Sequence, residues 1–203
     1  FMPDAESTRL SIRMRAGSLG HHMAAEKEER FSSWQHQEMG RLVWGLGAMA
    51  AERVFYGETS MGVGGDVQSV TTAAGFMVGA ASMGPEPIDL NGRGEEIMKR
   101  FEEIGTRIMN RTGAGGPGDV EHNPVGAVFA DPEKRATAAR ILGQAYVHAH
   151  TFVAHNRGAI EKIADVVVER RELYGDELVE LLRSAGLERP EVDLTKEESW
   201  PVL

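Results

Sequence analysis

Ala50-Ala51-Glu52-Arg53-Val54-Phe55-Tyr56-Gly57-Glu58-Thr59-Ser60-Met61-Gly62-Val63-Gly64-Gly65-Asp66 marks the place where one helix stops and another starts. On its N-terminal side, counted from Trp34, Met39, Leu42, Val43, Leu46, Met49 and Ala50 recur at helical spacing. The pattern reaches Val54 before Tyr56-Gly57 breaks it. Gly45 and Gly47 lower the intrinsic propensity of that helix, so tertiary packing has to hold it. On the C-terminal side, Met61 to Gly65 reads as a glycine-rich loop, and Val67, Val70, Ala73, Ala74, Met77 and Val78 form a second apolar stripe. Asp66 therefore stands at or beside a helix N-terminus.

Working outward, Leu10 to Arg15 alternates apolar and polar residues with a period of two, which predicts a short strand ended by the turn Ala16-Gly17-Ser18. Gly20 to Ala24 is its expected partner, and Ser32 and Ser33 are N-cap candidates for the helix that follows. Beyond the second helix, Met83-Gly84-Pro85-Glu86-Pro87 is a strong breaker. Ile97, Phe101, Ile104 and Ile108 mark a further amphipathic helix, closed by the loop Thr112 to Gly118. Asp131-Pro132-Glu133 supplies a cap, a proline at the first helical position and an acidic first turn. The helix it opens runs to about Asn156-Arg157-Gly158. Another carries Ile160, Ile163, Ala164, Val167 and Val168, and a last one, capped by Asp176, carries Leu178, Leu181 and Leu182. The expected fold class is mainly α, with a small β-strand pair near the N-terminus.

Composition narrows the function classes. With 22 Lys and Arg against 31 Asp and Glu, the net charge of -9 argues against a nucleic-acid partner. No apolar run approaches the roughly 20 residues of a membrane-spanning helix, and the absence of cysteine excludes a disulfide-built scaffold. The chain opens at Phe1-Met2-Pro3, with neither an initiator Met at position 1 nor the layout of a secretory signal, so it reads as a piece of a longer protein.

Among residues able to carry chemistry, the seven histidines come first. His148, His150 and His155 lack the i, i+4 spacing that chelates a metal from one helix, and adjacent His21 and His22 point to opposite faces of a strand. His36 and His122 have no neighbour in sequence. The Gly62 to Asp66 loop lacks the Lys and Ser/Thr of a phosphate-binding P-loop. Asp66 reads in two ways, as a helix N-cap or as a carboxylate at a rigid helix start that reaches a metal held by other residues. The methionines and tryptophans fall mostly on apolar faces and fill the core.

The stretch Ala50 to Thr59, followed by Gly62 and Asp66, resembles the peptidase domain of FtsH-type ATP-dependent zinc metalloproteases. Upstream, Met2-Pro3-Asp4-Ala5, the strand Leu10 to Met14, Gly17 to Gly20 and Met23 resemble the stretch that in this family follows the helix bearing a His-Glu-x-x-His motif. Downstream, Ala159 to Leu182 is similar to the family's closing helices. The resemblance covers Met2 to Gly84 and Asp131 to Pro201, leaving residues 88–130 as an insertion within a single FtsH-like peptidase domain over 1–203 that lacks its zinc-motif helix.

The resemblance implies that two histidines of the upstream motif and one later carboxylate hold Zn²⁺, that the motif's Glu activates the bound water, and that a separate ATP-driven module feeds unfolded chain. Such a site leaves one metal position open for water and the scissile carbonyl. Asp66 matches the third ligand. Glu52 matches a family carboxylate on the preceding helix, where it either supports the ligand from beside it or is a plain helix-surface residue. A homo-hexamer, unfolded polypeptide substrates and a place on the cytoplasmic face of a membrane, through a segment absent here, are likewise implied.

Departures are informative. The His-Glu-x-x-His motif occurs nowhere in the 203 residues, nor does an ATP-binding motif, so the zinc site is incomplete and no catalytic residue is assigned in this chain. The isolated chain is expected to be inactive. Met49 replaces a usual Arg, Gly65 a usual polar residue, and the family's aromatic-Gly-Met pattern appears as Ala81-Ser82-Met83-Gly84. The expected function is the proteolytic part of a zinc metalloendopeptidase; the alternative is a protease-dead relative kept as a helical scaffold or assembly module.

Overall fold

The computed structural model describes residues 5–14, 20–29, 31–86, 93–111, 124–193 and 200–201. The expected turn at Ala16 to Ser18, the loop at Thr112 to Gly118, His122 and much of the 88–130 insertion lie outside the described residues. The protein is mainly helical with a small antiparallel sheet, as the periodicities predict. It divides into two compact units, one built from Ser33–Thr151 and Glu191–Leu203, the other from Met2–Ser32 and Phe152–Pro190.

The first unit holds α1 (Gln35–Gly45), α2 (Gly47–Tyr56), a 3₁₀ turn (Met61–Val63), α3 (Gly64–Gly79), α4 (Gly94–Arg111), α5 (Pro124–Ala130) and most of α6 (Pro132–His155). The sequence pattern predicts one helix from Trp34 to Val54; two are found, parted at Leu46. The glycines on either side supply the weakness. Leu46 is fully buried, and the bonds Leu46 N to Leu42 O and Ala50 N to Leu46 O, both 3.0 Å, carry the ladder across the break. Neither Ser32 nor Ser33 caps α1. Trp34 occupies the cap, and its N–H donates to Gln37 Oε1 at 2.9 Å, while the Ser33 hydroxyl donates to the Glu38 carboxylate. At α6 the sequence reading holds: Asp131 Oδ1 accepts from the N–H groups of Glu133 and Lys134 at 2.9 and 3.1 Å.

Helices α4 and α6 meet backbone to backbone. A Cβ placed on Gly105 would lie 1.7 Å from the Ala139 carbonyl oxygen, and one on Gly143 would lie 2.0 Å from that of Phe101. These reciprocal notches run antiparallel and bury Ile97, Phe101 and Val147, with the Trp200 indole stacked on Phe101 at 4.5 Å between ring centroids. Similar but looser notches stand at Gly75, facing Phe129 Cζ at 3.2 Å, and at Gly45, facing Val70 Cγ1 at 2.5 Å.

In the second unit, β1 (Ala5–Ser11) lies between β2 (His21–Glu26) and β3 (Glu172–Tyr174), both antiparallel to it, with α7 (Arg157–Arg170) and α8 (Gly175–Ser184) completing the unit. β1 lies earlier than the Leu10–Arg15 alternation predicts. Pairing with β2 and β3 ends at Ser11, and Ile12 N–H goes instead to the Arg171 carbonyl at 3.0 Å. Between Ser7 and Arg9 the register slips by one residue, so the alternation changes face there. Leu10 and Ile12 still pack onto Val167, Leu173 and Leu178, whereas Met14 is exposed. β3 was not expected, and its three residues depend on side chains. Arg9 sits opposite Tyr174, 5.3 Å from the ring centroid, and donates from Nε to Glu172 Oε1 at 3.0 Å.

Two buried amides fasten extended segments, one in each unit. Gln144 accepts from Glu86 N–H at 2.8 Å and donates to its carbonyl at 2.9 Å. Asn156 does the same for Glu188, at 2.8 Å in both directions.

Two outcomes test these contacts. Gly105→Ala forces α4 and α6 apart and lowers stability by at least about 1–3 kcal/mol in urea unfolding. Tyr174 and then Arg9, by hydrogen bonding, hold the Glu172 carboxyl down at about 2 from an ordinary 4.5. Its stabilising effect is complete above about pH 4.5 and is lost as pH falls towards 2, the unfolded chain binding the proton first. Thermal midpoints of the parent protein therefore drop more steeply over that range than those of Glu172→Gln.

Candidate functional site

The two sequence-predicted carboxylates lie on consecutive elements of the first unit. Asp66 is the third residue of α3, in its first turn and exposed. It is not the N-cap: Val63 holds that position and offers no side-chain acceptor. A carboxylate there is favoured by the positive end of the helix dipole, and its oxygens remain turned out of the core.

The first turn of α3 has little stability of its own. It starts with Gly64 and Gly65, each costing about 1 kcal/mol relative to Ala in a helix interior. Neither needs to be glycine: an added Cβ on either meets nothing within 4 Å, and Gly64 has an ordinary helical φ of -58°. The turn is steadied by buried Val63 at the cap position, by the Ser69 hydroxyl donating to the Gly65 carbonyl at 2.9 Å, and by contacts upstream.

Helix α2 ends at Gly57, whose φ of 76° is the left-handed conformation that glycine adopts without a Cβ penalty. Its N–H donates to the Arg53 carbonyl at 3.0 Å, and its carbonyl accepts from Arg53 Nη1 at 2.9 Å. Glu52, the neighbouring residue, takes the far side of the turn. Its Oε2 accepts from Ser60 N–H and its Oε1 from the Ser60 hydroxyl, both at 2.6 Å. The Ser60 oxygen in turn accepts from Gly62 N–H at 3.0 Å, capping the 3₁₀ turn that runs directly into α3. Residues of opposite charge at the end of α2 thus pin both ends of the connection that leads to Asp66. Glu52 is no plain surface carboxylate.

Sequence reasoning singled out Glu52 and Asp66 but missed Ser60, Arg53 and Gly57 as their connecting parts. A serine two residues before a glycine is a usable capping signal, but nothing in sequence marks its eight-residue pairing with Glu52.

The His22 Nε2 and the Ser7 hydroxyl lie 2.8 Å apart, and burial pushes this imidazole below the usual range. Burial, and then the charge of Arg53, lower His150 in the same direction. His155 lies 3.4 Å from Glu188, and His36 is exposed. Among the described residues no three His, Cys, Asp or Glu side chains come together in a way that could hold a metal ion. These residues do not by themselves compose a zinc site.

The family departures also have places. Met49 is buried and belongs to the core. Ser82, at the glycine of the aromatic-Gly-Met pattern, has φ 53°, and the next N–H, of Met83, reaches back to the Met77 carbonyl at 2.8 Å. A serine here holds the positive φ that glycine adopts more readily.

Peptidase family M41 matches residues 2–110. The ATP-dependent zinc metalloprotease FTSH 6, chloroplastic, of Arabidopsis thaliana is 31% identical over 153 residues, which are 73% of this chain and 20% of that protein. An ATP-dependent zinc metalloprotease FtsH of Akkermansia muciniphila is 24% identical over 92% of this chain and 21% of its own length. FtsH 3 of Symbiobacterium thermophilum, also described as an ATP-dependent zinc metalloprotease, is 25% identical over 93% of this chain and 28% of its own length. The chain thus spans 20–28% of the length of these three curated relatives.

The two glycines around the connection should respond in opposite ways to alanine. Gly57→Ala strains the left-handed turn and lowers unfolding stability by about 1–2 kcal/mol, whereas Gly65→Ala raises it by about 0.4–1 kcal/mol, both read from urea midpoints.

Proposed function

The chain belongs to peptidase family M41, and on that premise we propose that it is the C-terminal proteolytic part of an ATP-dependent zinc metalloendopeptidase that degrades unfolded or membrane proteins. The observation that carries this reading is Asp66: an exposed carboxylate in the first turn of α3, reached through a connection tied down by Glu52. Asp66 supplies one donor to the metal, and the remaining donors and the general base come from outside the described residues. Zinc, when bound, supplies an activated water and a polarised carbonyl.

The residues of this chain orient and hold. Glu52 keeps the α2–α3 connection in one conformation, so that the Asp66 carboxylate need not be ordered when metal arrives. Alone, the chain contributes one ligand and no base, and it does not hydrolyse peptides. The domain spans 1–203 with an insertion at 88–130, and works in a homo-hexamer, fed by an ATP-driven module, at the cytoplasmic face of a membrane. No described helix is long and apolar enough to cross a membrane.

The test uses the whole gene product. Zinc content and degradation of an unfolded protein are measured before and after Asp66→Asn. Loss of both, with a stability change of no more than about 1 kcal/mol from the helix dipole, is the expected result. Zinc and activity retained in the variant would remove Asp66 from the metal. Zinc and proteolysis absent from the unsubstituted protein would favour the scaffold reading.

A further inference from the structure

We propose that Ser60 is a positioning residue for the metal ligand, acting through the cap that it places on the 3₁₀ turn. This rests on the reading of Asp66 as a zinc ligand and extends it to a residue that makes no contact with the metal.

Ser60 is the one point at which three tethers of the connection converge. Its N–H and its hydroxyl both donate to Glu52, and its oxygen accepts from Gly62 N–H. The hydroxyl is therefore donor and acceptor at once, and alanine removes both functions while leaving the Glu52 bond to the backbone N–H. From Ser60 the chain is helical without interruption through Met61–Val63 and into Gly64, Gly65 and Asp66. The rise per residue of the two helix types makes that about 10 Å of backbone. An error in the direction of the cap is carried along this lever to the carboxylate.

The start of the lever is held by packing at Val63, which is buried, and by the Ser69 hydroxyl, which donates to the Gly65 carbonyl at 2.9 Å, but by no side-chain cap of its own. Two glycines with open space at their Cβ positions open the first turn. Farther along, α3 is well held: Val67 and Val70 are buried, and Thr71 Oγ1 donates to the Val67 carbonyl at 2.7 Å. The stretch from Ser60 to Asp66 joins α2 to the body of α3, with buried Val63 as its apolar anchor and Ser60 as its polar one. Removing the Ser60 hydroxyl loosens the part of the chain that carries the ligand.

A hydroxyl is what the geometry asks for, so threonine should serve and alanine should not. Added bulk at Gly62 would press on the same group, because its Cβ would lie 3.1 Å from Ser60 Oγ.

The experiment compares Ser60→Ala, Ser60→Thr and Asp66→Asn in the whole gene product, reading zinc affinity by competition with a chromogenic chelator. Hydrogen exchange of the amides from Gly62 to Val67 is read in the same proteins. Ser60→Ala should weaken zinc binding roughly ten- to a hundredfold, the range found when groups that orient a ligand are removed, and should speed exchange in that stretch. Ser60→Thr should restore both. Unchanged zinc affinity in Ser60→Ala, where Asp66→Asn loses zinc, would overturn the positioning role and leave the ligand standing. Unchanged affinity in Asp66→Asn would overturn the ligand assignment itself. Faster exchange without weaker zinc binding would reduce Ser60 to an ordinary turn cap. Should Ser60→Ala fail to fold, Glu52→Gln tests the same tether from its other end by the same two readings.

Discussion

The closest approach in the first unit is between the backbones of α4 and α6, and it is possible only because each helix lacks a side chain where the other's carbonyl comes in. Gly105 faces Ala139, and Gly143 faces Phe101. A single methyl at either place would sit well inside the contact distance, so the spacing of the two helices is fixed by backbone and cannot drift. Packed side chains then fill the rest to the density of a protein interior. Ile97, Phe101 and Val147 close over one another only at that spacing, and Trp200 completes the stack. At Gly75 and Gly45 it is side-chain tips, not backbone, that fill the space a Cβ would take, and these contacts seat α3 against α5 and α1.

The first turn of α3 is built by a different rule. Where the body of α3 uses contact, the turn before it uses charge and directional hydrogen bonds, supplied by Glu52 and Arg53 from the end of α2. Side chains of opposite sign at adjacent positions grip two points of one short connection without needing a partner from elsewhere in the fold. On the proposed reading of Asp66, the arrangement suits a ligand that must be both accessible and well aimed. A buried site would aim Asp66 better but close it off, and a free loop would open it but let it wander.

Much of this was legible in the sequence. Apolar spacing located α3, α4, α6, α7 and α8, and Asp131-Pro132-Glu133 marked the start of α6 because cap chemistry is local. The motif around Glu52 and Asp66 carried the family. What failed to show was non-local. The break at Leu46 is set by packing on glycines whose effect on a helix depends on their neighbours. Strand β1 was misplaced because hydrogen-bond partners far along the chain decide where it ends, while the alternation continues beyond Ser11. Strand β3 exists because Arg9 and Tyr174 face each other, a pairing across more than 160 positions. Ser60 escaped notice for the same reason on a smaller scale.

In each of the two amide fastenings one side chain grips both the donor and the acceptor of a single residue's backbone. Gln144 and Asn156 read the peptide groups of Glu86 and Glu188 and ignore their side chains. Any residue that keeps its N–H can be held there, so proline alone is barred. The grip itself therefore sets no demand on the side chains of the two held residues, although Glu188 separately meets His155 at 3.4 Å. The amides themselves have no such licence. A carboxylate of the same shape would lose the donating half of the grip and bring a charge into a buried place. Each fastening thus joins a chemically exacting hook to a held residue of which it requires only the peptide group, so the path of the segment is set by the hook and not by the side chain it holds.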